Sequence, residues 1–295
     1  LAWHAASGRA TLPWRTQPSA YRVVVSEFML QQTQVERVVP LFERFVARFP
    51  SFEALAAAPQ AEAVRAWKGL GYNSRALRLH RLAREVVERF GGVLPRDEAE
   101  LRSLPGVGPY TARAIRAFVF GDDVIAPDVN VRRVVERTQF GLEWPVRRKV
   151  REIDAAGAEL VPAGRAFDFN SALMDLGSSL CTARAPKCLL CPLQRNCAAA
   201  PVDAAQLAAL AALHAPARGP QASRPFEETT RYVRGRVIDR LRELGPGERI
   251  SLLDLRGSLA GAMPDRDQAS FEAIVRVLTG EGLVEEGECG LRLAE

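Results

Sequence analysis

The sequence predicts a mainly α-helical chain built around a helix–hairpin–helix, closed by a small winged-helix-like module. Three observations carry this. Apolar residues recur at helical spacing through most of the first 200 residues. The stretch LPGVG at 104–108 places a tight glycine turn between two amphipathic segments. Residues 226–295 read as three helices followed by a hairpin.

With 295 residues, the chain has room for one large helical region over 1–200, a linker over 201–225 and a compact module over 226–295. A hydrophobic content of 47% marks a folded protein. The net charge is +5 with a pI near 9.2, and the only lysines are Lys68, Lys149 and Lys187. Arginine suits bidentate gripping of phosphate, although a coding bias toward Arg, Ala and Val explains the composition equally well. No apolar run reaches the roughly 18 residues of a membrane span, and the N-terminus lacks a signal-like run. Cytoplasmic residence, beside a bacterial nucleoid, is the expectation.

In chain order, LPWR at 12–15 offers Pro13 as a turn former, Trp14 as an anchor and Arg15 as a candidate DNA contact. Residues 21–50 read as a buried helix and then an amphipathic one. Glu27 stands among Val23, Val24, Val25, Phe28, Met29 and Leu30. Burial raises a carboxyl pKa and suits it to general-acid work, whereas a helix-surface glutamate is the plain alternative. Gln31, Gln32 and Thr33 follow as polar loop residues. KGLGYNSR at 68–75 makes a close-approach loop whose Leu70 and Tyr72 are either apolar wedges or core. In the next helix Leu77, Leu79, Leu82, Val86 and Val87 oppose a basic face of Arg75, Arg78, Arg81 and Arg84, as a surface helix would.

At the hairpin, Gly106 and Gly108 flank Val107, expected exposed at the turn, and the N–H groups opening the following helix form an anion site. Asp128 then sits in PDVNV, which interrupts helical sequence just before Arg132 and Arg133. Residues 167–181 return to helix, a largely apolar segment that carries Asp168 and Asp175, neither of them assigned to catalysis. Cys181, Cys188, Cys191 and Cys197 lie close together, while Cys289 is remote. Four such thiolates fit zinc or a [4Fe–4S] cube equally by ligand type. In the tail, residues 231–244, 250–255 and 271–284 supply the helical segments, and 283–294 the wing.

The hairpin, Asp128 and the segment SEFMLQQTQV at 26–35 together resemble the base-excision DNA glycosylases of the endonuclease III, or helix-hairpin-helix, superfamily, and within it the adenine DNA glycosylase (MutY) branch. The match covers about residues 12–200. Tyr110 stands where lyase members carry a Schiff-base lysine, and Asn130 where endonuclease III-like members carry histidine. Val129 replaces the glycine usual beside the catalytic aspartate, and the nucleotide-hydrolase-like C-terminal domain usual in the branch is missing from the tail. The resemblance implies a monofunctional enzyme that removes adenine mispaired with 8-oxoguanine or guanine in duplex DNA, acting as a monomer. Its implied catalytic group is Glu27, Asp128, Tyr110 and Asn130. Gln32 would enter the base stack, Thr33 would contact the base opposite the target, Leu70 and Tyr72 would wedge the duplex, and Gly106, Val107 and Gly108 would hold phosphate. The spacing C-x6-C-x2-C-x5-C matches the superfamily's iron–sulfur loop, implying one [4Fe–4S] cluster. Removal of thymine or uracil on the same scaffold, and a catalytically silent iron–sulfur DNA binder, are the competing readings.

Overall fold

Short polar residues and prolines cut the chain into helices, as their hydrogen-bonding and dihedral limits require. Ser51, Asp128, Thr229, Ser251 and Asp267 each cap a helix through a side-chain oxygen, and prolines open two more helices. The computed structural model describes residues 1–142, 150–213, 225–245, 247–262 and 267–295. In order, the helices are α1 Ala2–Ser7, α2 Pro13–Thr16, α3 Ala20–Leu30, α4 Val35–Arg48, α5 Phe52–Ala57, α6 Gln60–Ala66, α7 Ser74–Phe90, α8 Glu98–Ser103 and α9 Pro109–Phe118. They continue as α10 Val129–Phe140, α11 Val150–Ala158, α12 Ala166–Ser179, α13 Ala204–Leu213, α14 Thr230–Arg242, α15 Leu252–Ser258 and α16 Gln268–Gly280. Strands β1 Val284–Gly287 and β2 Gly290–Leu293 follow. Of the linker expected over 201–225, Ala204–Leu213 is helical and 214–224 lie outside the described residues.

The chain divides into two compact units that interleave along the sequence. The first holds Leu1–Val24, Pro95–Ser103 and Val107–Ala217. Its core joins Ala117 and Ile125 to Val131, Val134 and Val135 of α10, Ile153 of α11, and Leu173 and Leu176 of α12. The second unit holds Val25–Leu94, Leu104–Gly106 and Arg218–Glu295. Phe42, Phe45, Leu55, Trp67, Leu79 and Leu82 are fully buried there, and the Phe45 ring meets those of Phe49 and Trp67 edge-on.

The tail elements follow the amphipathic pattern of their sequence. α14 buries Val233, Val237, Ile238 and Leu241, while α16 buries Phe271, Ile274, Val275 and Leu278. The two strands pair antiparallel, with Val284 opposite Leu293 and Gly287 opposite Gly290. That register turns Val284, Leu291 and Leu293 inward. Among the described residues, no helix is long and apolar enough to cross a membrane.

Candidate active site

Asp128 is the N-cap of α10, and its carboxylate is held by three donors. Oδ1 accepts from the backbone N–H groups of Asn130 at 2.9 Å and Val131 at 2.7 Å, and Oδ2 accepts from Asn130 Nδ2 at 3.0 Å. Asn130 is held in turn by Arg133, whose Nη2 donates to Asn130 Oδ1 at 2.8 Å. Arg133 is buried and donates at 2.7 Å both to Gly177 O and to Cys181 O. Burial pushes its guanidinium below the ordinary range, opposed by Cys181 and Asp128. Gly177 makes the arrangement possible, because a Cβ there would stand 2.7 Å from Asn130 Cβ. The aspartate is thus oriented from three layers of structure, and its neighbour Val129, 76% exposed, turns its branched side chain to solvent. Nothing local in the sequence marks Arg133 for this positioning role.

Glu27 belongs to the second unit. It is 8% exposed on α3, beside Val24, Val25, Phe28 and Met29, all essentially inaccessible. Past the end of α3, Gln32 is exposed with a φ of 56°, a left-handed conformation that costs a non-glycine residue about 1 kcal/mol or more. Thr33 is half-buried. Tyr72, in the glycine loop over 68–75, has a φ of 45° and is 37% exposed. Leu70 is 4% exposed, so the expected wedge is corrected to a core residue: its side chain packs inward and only Tyr72 of that pair projects.

One guanidinium ties these segments together. Arg75 Nη1 donates to Phe28 O and Met29 O, each at 2.9 Å, and to Gln31 O. Its Nη2 donates to Thr33 Oγ1 at 3.1 Å, Leu70 O at 3.0 Å and Gly71 O at 3.2 Å. Burial pushes its pKa down to about 10. Arg75 was expected on a basic surface face, and the structure corrects this. The signal was in the spacing: positions 75, 79, 82 and 86 form one helical stripe, and all four are buried.

At the hairpin, Gly106 is exposed with a φ of 81°, and a Cβ there would lie 2.8 Å from the Phe28 ring. Val107, expected exposed, is 6% exposed. The correction follows from its apolar side chain, which the turn directs into the fold while the glycines take the surface. Gly108 caps α9, with open space where its Cβ would be, and Tyr110 is half-buried in the first turn of that helix.

Two further expectations are corrected. Arg15, a candidate DNA contact, spends its guanidinium on Asp175, with contacts of 2.8 and 3.2 Å, and its side chain is only 9% exposed. Arg9 joins the same carboxylate, consistent with a structural role for Asp175. The [4Fe–4S] cluster expected at Cys181, Cys188, Cys191 and Cys197 is also corrected. Among the described residues, no group of three or more His, Cys, Asp or Glu side chains is arranged to hold a metal ion. Three of the thiols are engaged otherwise: Cys181 and Cys191 pack on the α10–α12 core, and Cys197 Sγ donates to Arg137 O at 3.6 Å. Burial pushes the Cys191 and Cys197 thiols up, toward the neutral form. Arg137 holds the loop by donating to Thr182 O and Ala183 O.

Comparisons with known proteins bear on this geometry. The model of the HhH-GPD superfamily base excision DNA repair proteins matches residues 25–163. The adenine DNA glycosylase of Mycolicibacterium smegmatis is 38% identical, with 98% of this chain and 96% of that protein aligned. That of Mycobacterium tuberculosis is 41% identical over 82% of this chain and 77% of its own length. The structure of a thermostable thymine-DNA glycosylase superposes with a TM-score of 0.60 at 32% identity, covering 66% of this chain and 90% of the other. A family model spanning both the Glu27 and Asp128 segments, and a relative aligned almost end to end, leave one assignment: the chain belongs to the HhH-GPD superfamily of base excision DNA repair proteins, in its adenine DNA glycosylase branch.

Proposed function

We propose that the chain is a monofunctional DNA glycosylase that hydrolyses the N-glycosidic bond of adenine mispaired with 8-oxoguanine or guanine in duplex DNA. The observation that carries this is the Asp128–Asn130–Arg133 array, a carboxylate fixed by three donors in a chain whose long relatives are adenine DNA glycosylases. Base excision needs the target nucleotide turned out of the stack. Glu27 then donates a proton to adenine N7, so the C1′–N9 bond breaks and its electron pair leaves with the base. Asp128 stabilises the positive charge that develops on C1′ and O4′. Water adds to C1′, gives its proton to Glu27 and leaves an abasic site. Asn130 positions Asp128, and Tyr110 supports the acid or the departing base. A tyrosine supplies no amine for a Schiff base, which supports hydrolysis without strand cleavage.

On this reading Gln32 enters the base stack, Thr33 meets the base opposite the target, Tyr72 wedges the duplex, and Gly106 and Gly108 bring backbone close to phosphate. The tail over 226–295 is a winged-helix-like module, a reading supported by three helices followed by a two-stranded hairpin. Residues 1–200 form the catalytic region, joined to it through 201–225.

Single-turnover incubation with duplexes carrying A opposite 8-oxoguanine, A opposite G, T opposite G and U opposite G, followed by alkali, tests the assignment. Adenine release is expected from the first two. Release confined to T or U would overturn it. Asp128→Asn and Glu27→Gln should each bind the duplex within about threefold of wild type and lose at least about a hundredfold in release rate.

A further inference from the structure

Arg231 is exposed in the first turn of α14, where the helix dipole disfavours a cation, so helix stability does not account for it. On the same helix Arg234 pairs with Glu281 at 2.5 Å and Arg242 with Asp239 at 2.5 Å. Among the described residues, Arg231 makes no hydrogen bond or ion pair. Its contacts are aromatic. The guanidinium carbon lies 4.0 Å from the Tyr72 ring centroid and 5.7 Å from that of Phe226, which is 53% exposed. A guanidinium stacked on a ring uses its π face and leaves its N–H fork available at the edge. Tyr72 is itself held out by its left-handed backbone, and Arg75 fixes Gly71 and Thr33 through one side chain. Arg231 therefore joins exposed Gln32 and Tyr72 and half-buried Thr33, with an unspent hydrogen-bonding fork at its edge.

We propose that Arg231, stacked on Tyr72, is a DNA-contact residue supplied by the C-terminal module, whose fork donates to an oxygen acceptor on the strand opposite the target base. The acceptor is a carbonyl oxygen of the opposing purine or a phosphate of that strand. The chemistry is shared, because the guanidinium is a donor-only group that donates to either oxygen. The inference rests on the glycosylase reading, since that reading puts Gln32, Thr33 and Tyr72 at the duplex.

The test measures affinity for uncleavable duplexes carrying an abasic analogue opposite 8-oxoguanine, guanine or a second abasic analogue, across salt, together with single-turnover adenine release. Arg231→Met, which keeps aliphatic packing on the ring, should weaken binding about tenfold with an unchanged thermal midpoint. If the acceptor is a base carbonyl, the loss falls on the 8-oxoguanine and guanine duplexes, and Arg231→Lys fails to rescue because it lacks the fork. If it is a phosphate, all three duplexes lose equally, the salt slope falls by about 0.9, and Arg231→Lys rescues most of the loss. Either pattern supports the proposal. Affinity, salt slope and opposite-base ratio all within twofold of wild type would overturn it. A wild-type protein that released no adenine would sink the glycosylase reading instead, while the binding arm would still judge Arg231.

Discussion

Asp175 is 3% exposed and faces Arg9 and Arg15. Burial alone would raise its carboxyl pKa, but the hydrogen bond and charge of Arg15, followed by those of Arg9, bring it below the ordinary value. A folded-state carboxyl held lower than the unfolded one stabilises the fold above the unfolded value, about 3.9, and loses that contribution as pH falls through the folded one. Asp175→Asn should thus cost about 3–5 kcal/mol at pH 7. In urea unfolding, the gap between variant and wild type should begin to narrow below about pH 4; a gap constant from pH 7 to pH 3 would exclude the ion pair as its cause. Arg75 works by neutral acceptors instead. Arg75→Ala should lose about 3 kcal/mol, and Arg75→Lys should recover only part of it, because an ammonium offers three donors where six acceptors now converge. Both arginines show a limit of reading residues singly. Glu27 and Asp128 could be chosen from their local setting, an apolar helix and a broken one. Arg15 is defined by a carboxylate 160 positions away, and nothing local to LPWR marks that partner.

Elements were the most legible scale, because helical periodicity and capping chemistry act over a few residues. α3 and α4 appear where an apolar run and an amphipathic run were read, and Asp128 interrupts helical sequence because it is itself the cap of α10. How closely two elements approach was not legible, and Gly177 decides it for α10 and α12. Inside a helix, Gly→Ala normally gains about 1 kcal/mol of helix propensity. Here the new methyl would lie 2.7 Å from Asn130 Cβ and 3.1 Å from the Asn130 backbone, so α12 must shift and the overpacking cost of about 1–3 kcal/mol dominates. Gly177→Ala should therefore lower the thermal midpoint despite its better propensity. It should also slow single-turnover adenine release at least about tenfold, since the displaced residue is the one that holds Asp128. A higher midpoint with unchanged release would show that the helices yield freely at this contact.

At the scale of the whole molecule, the sequence suggests regions in tandem, whereas the compact units interleave: 218–295 share a unit with 25–94. Which segments share a unit is invisible to local pattern because it depends on pairs far apart in the chain. Arg242, whose side chain is 6% exposed, donates to Val64 O at 3.0 and 3.1 Å and to Asn73 Oδ1 at 2.8 Å. Arg65 Nη2 reaches Leu244 O at 3.1 Å, and Gln60 Nε2 reaches Gly282 O at 2.8 Å. A chain ending at residue 200 would strip these partners from α6 and from the loop that carries Tyr72. Five such bonds are worth about 5 kcal/mol net, and at 2–4 °C per kcal/mol for a chain of this size the midpoint should fall by about 10–20 °C. Arg242→Ala in the full chain isolates the main contribution, with an expected loss of about 2 kcal/mol, since it leaves Asn73 Oδ1 without its donor and Val64 O with only the longer bond from the Trp67 N–H at 3.3 Å. An unchanged midpoint in both the shortened chain and Arg242→Ala would mean that the tail adds nothing to the stability of the unit it shares.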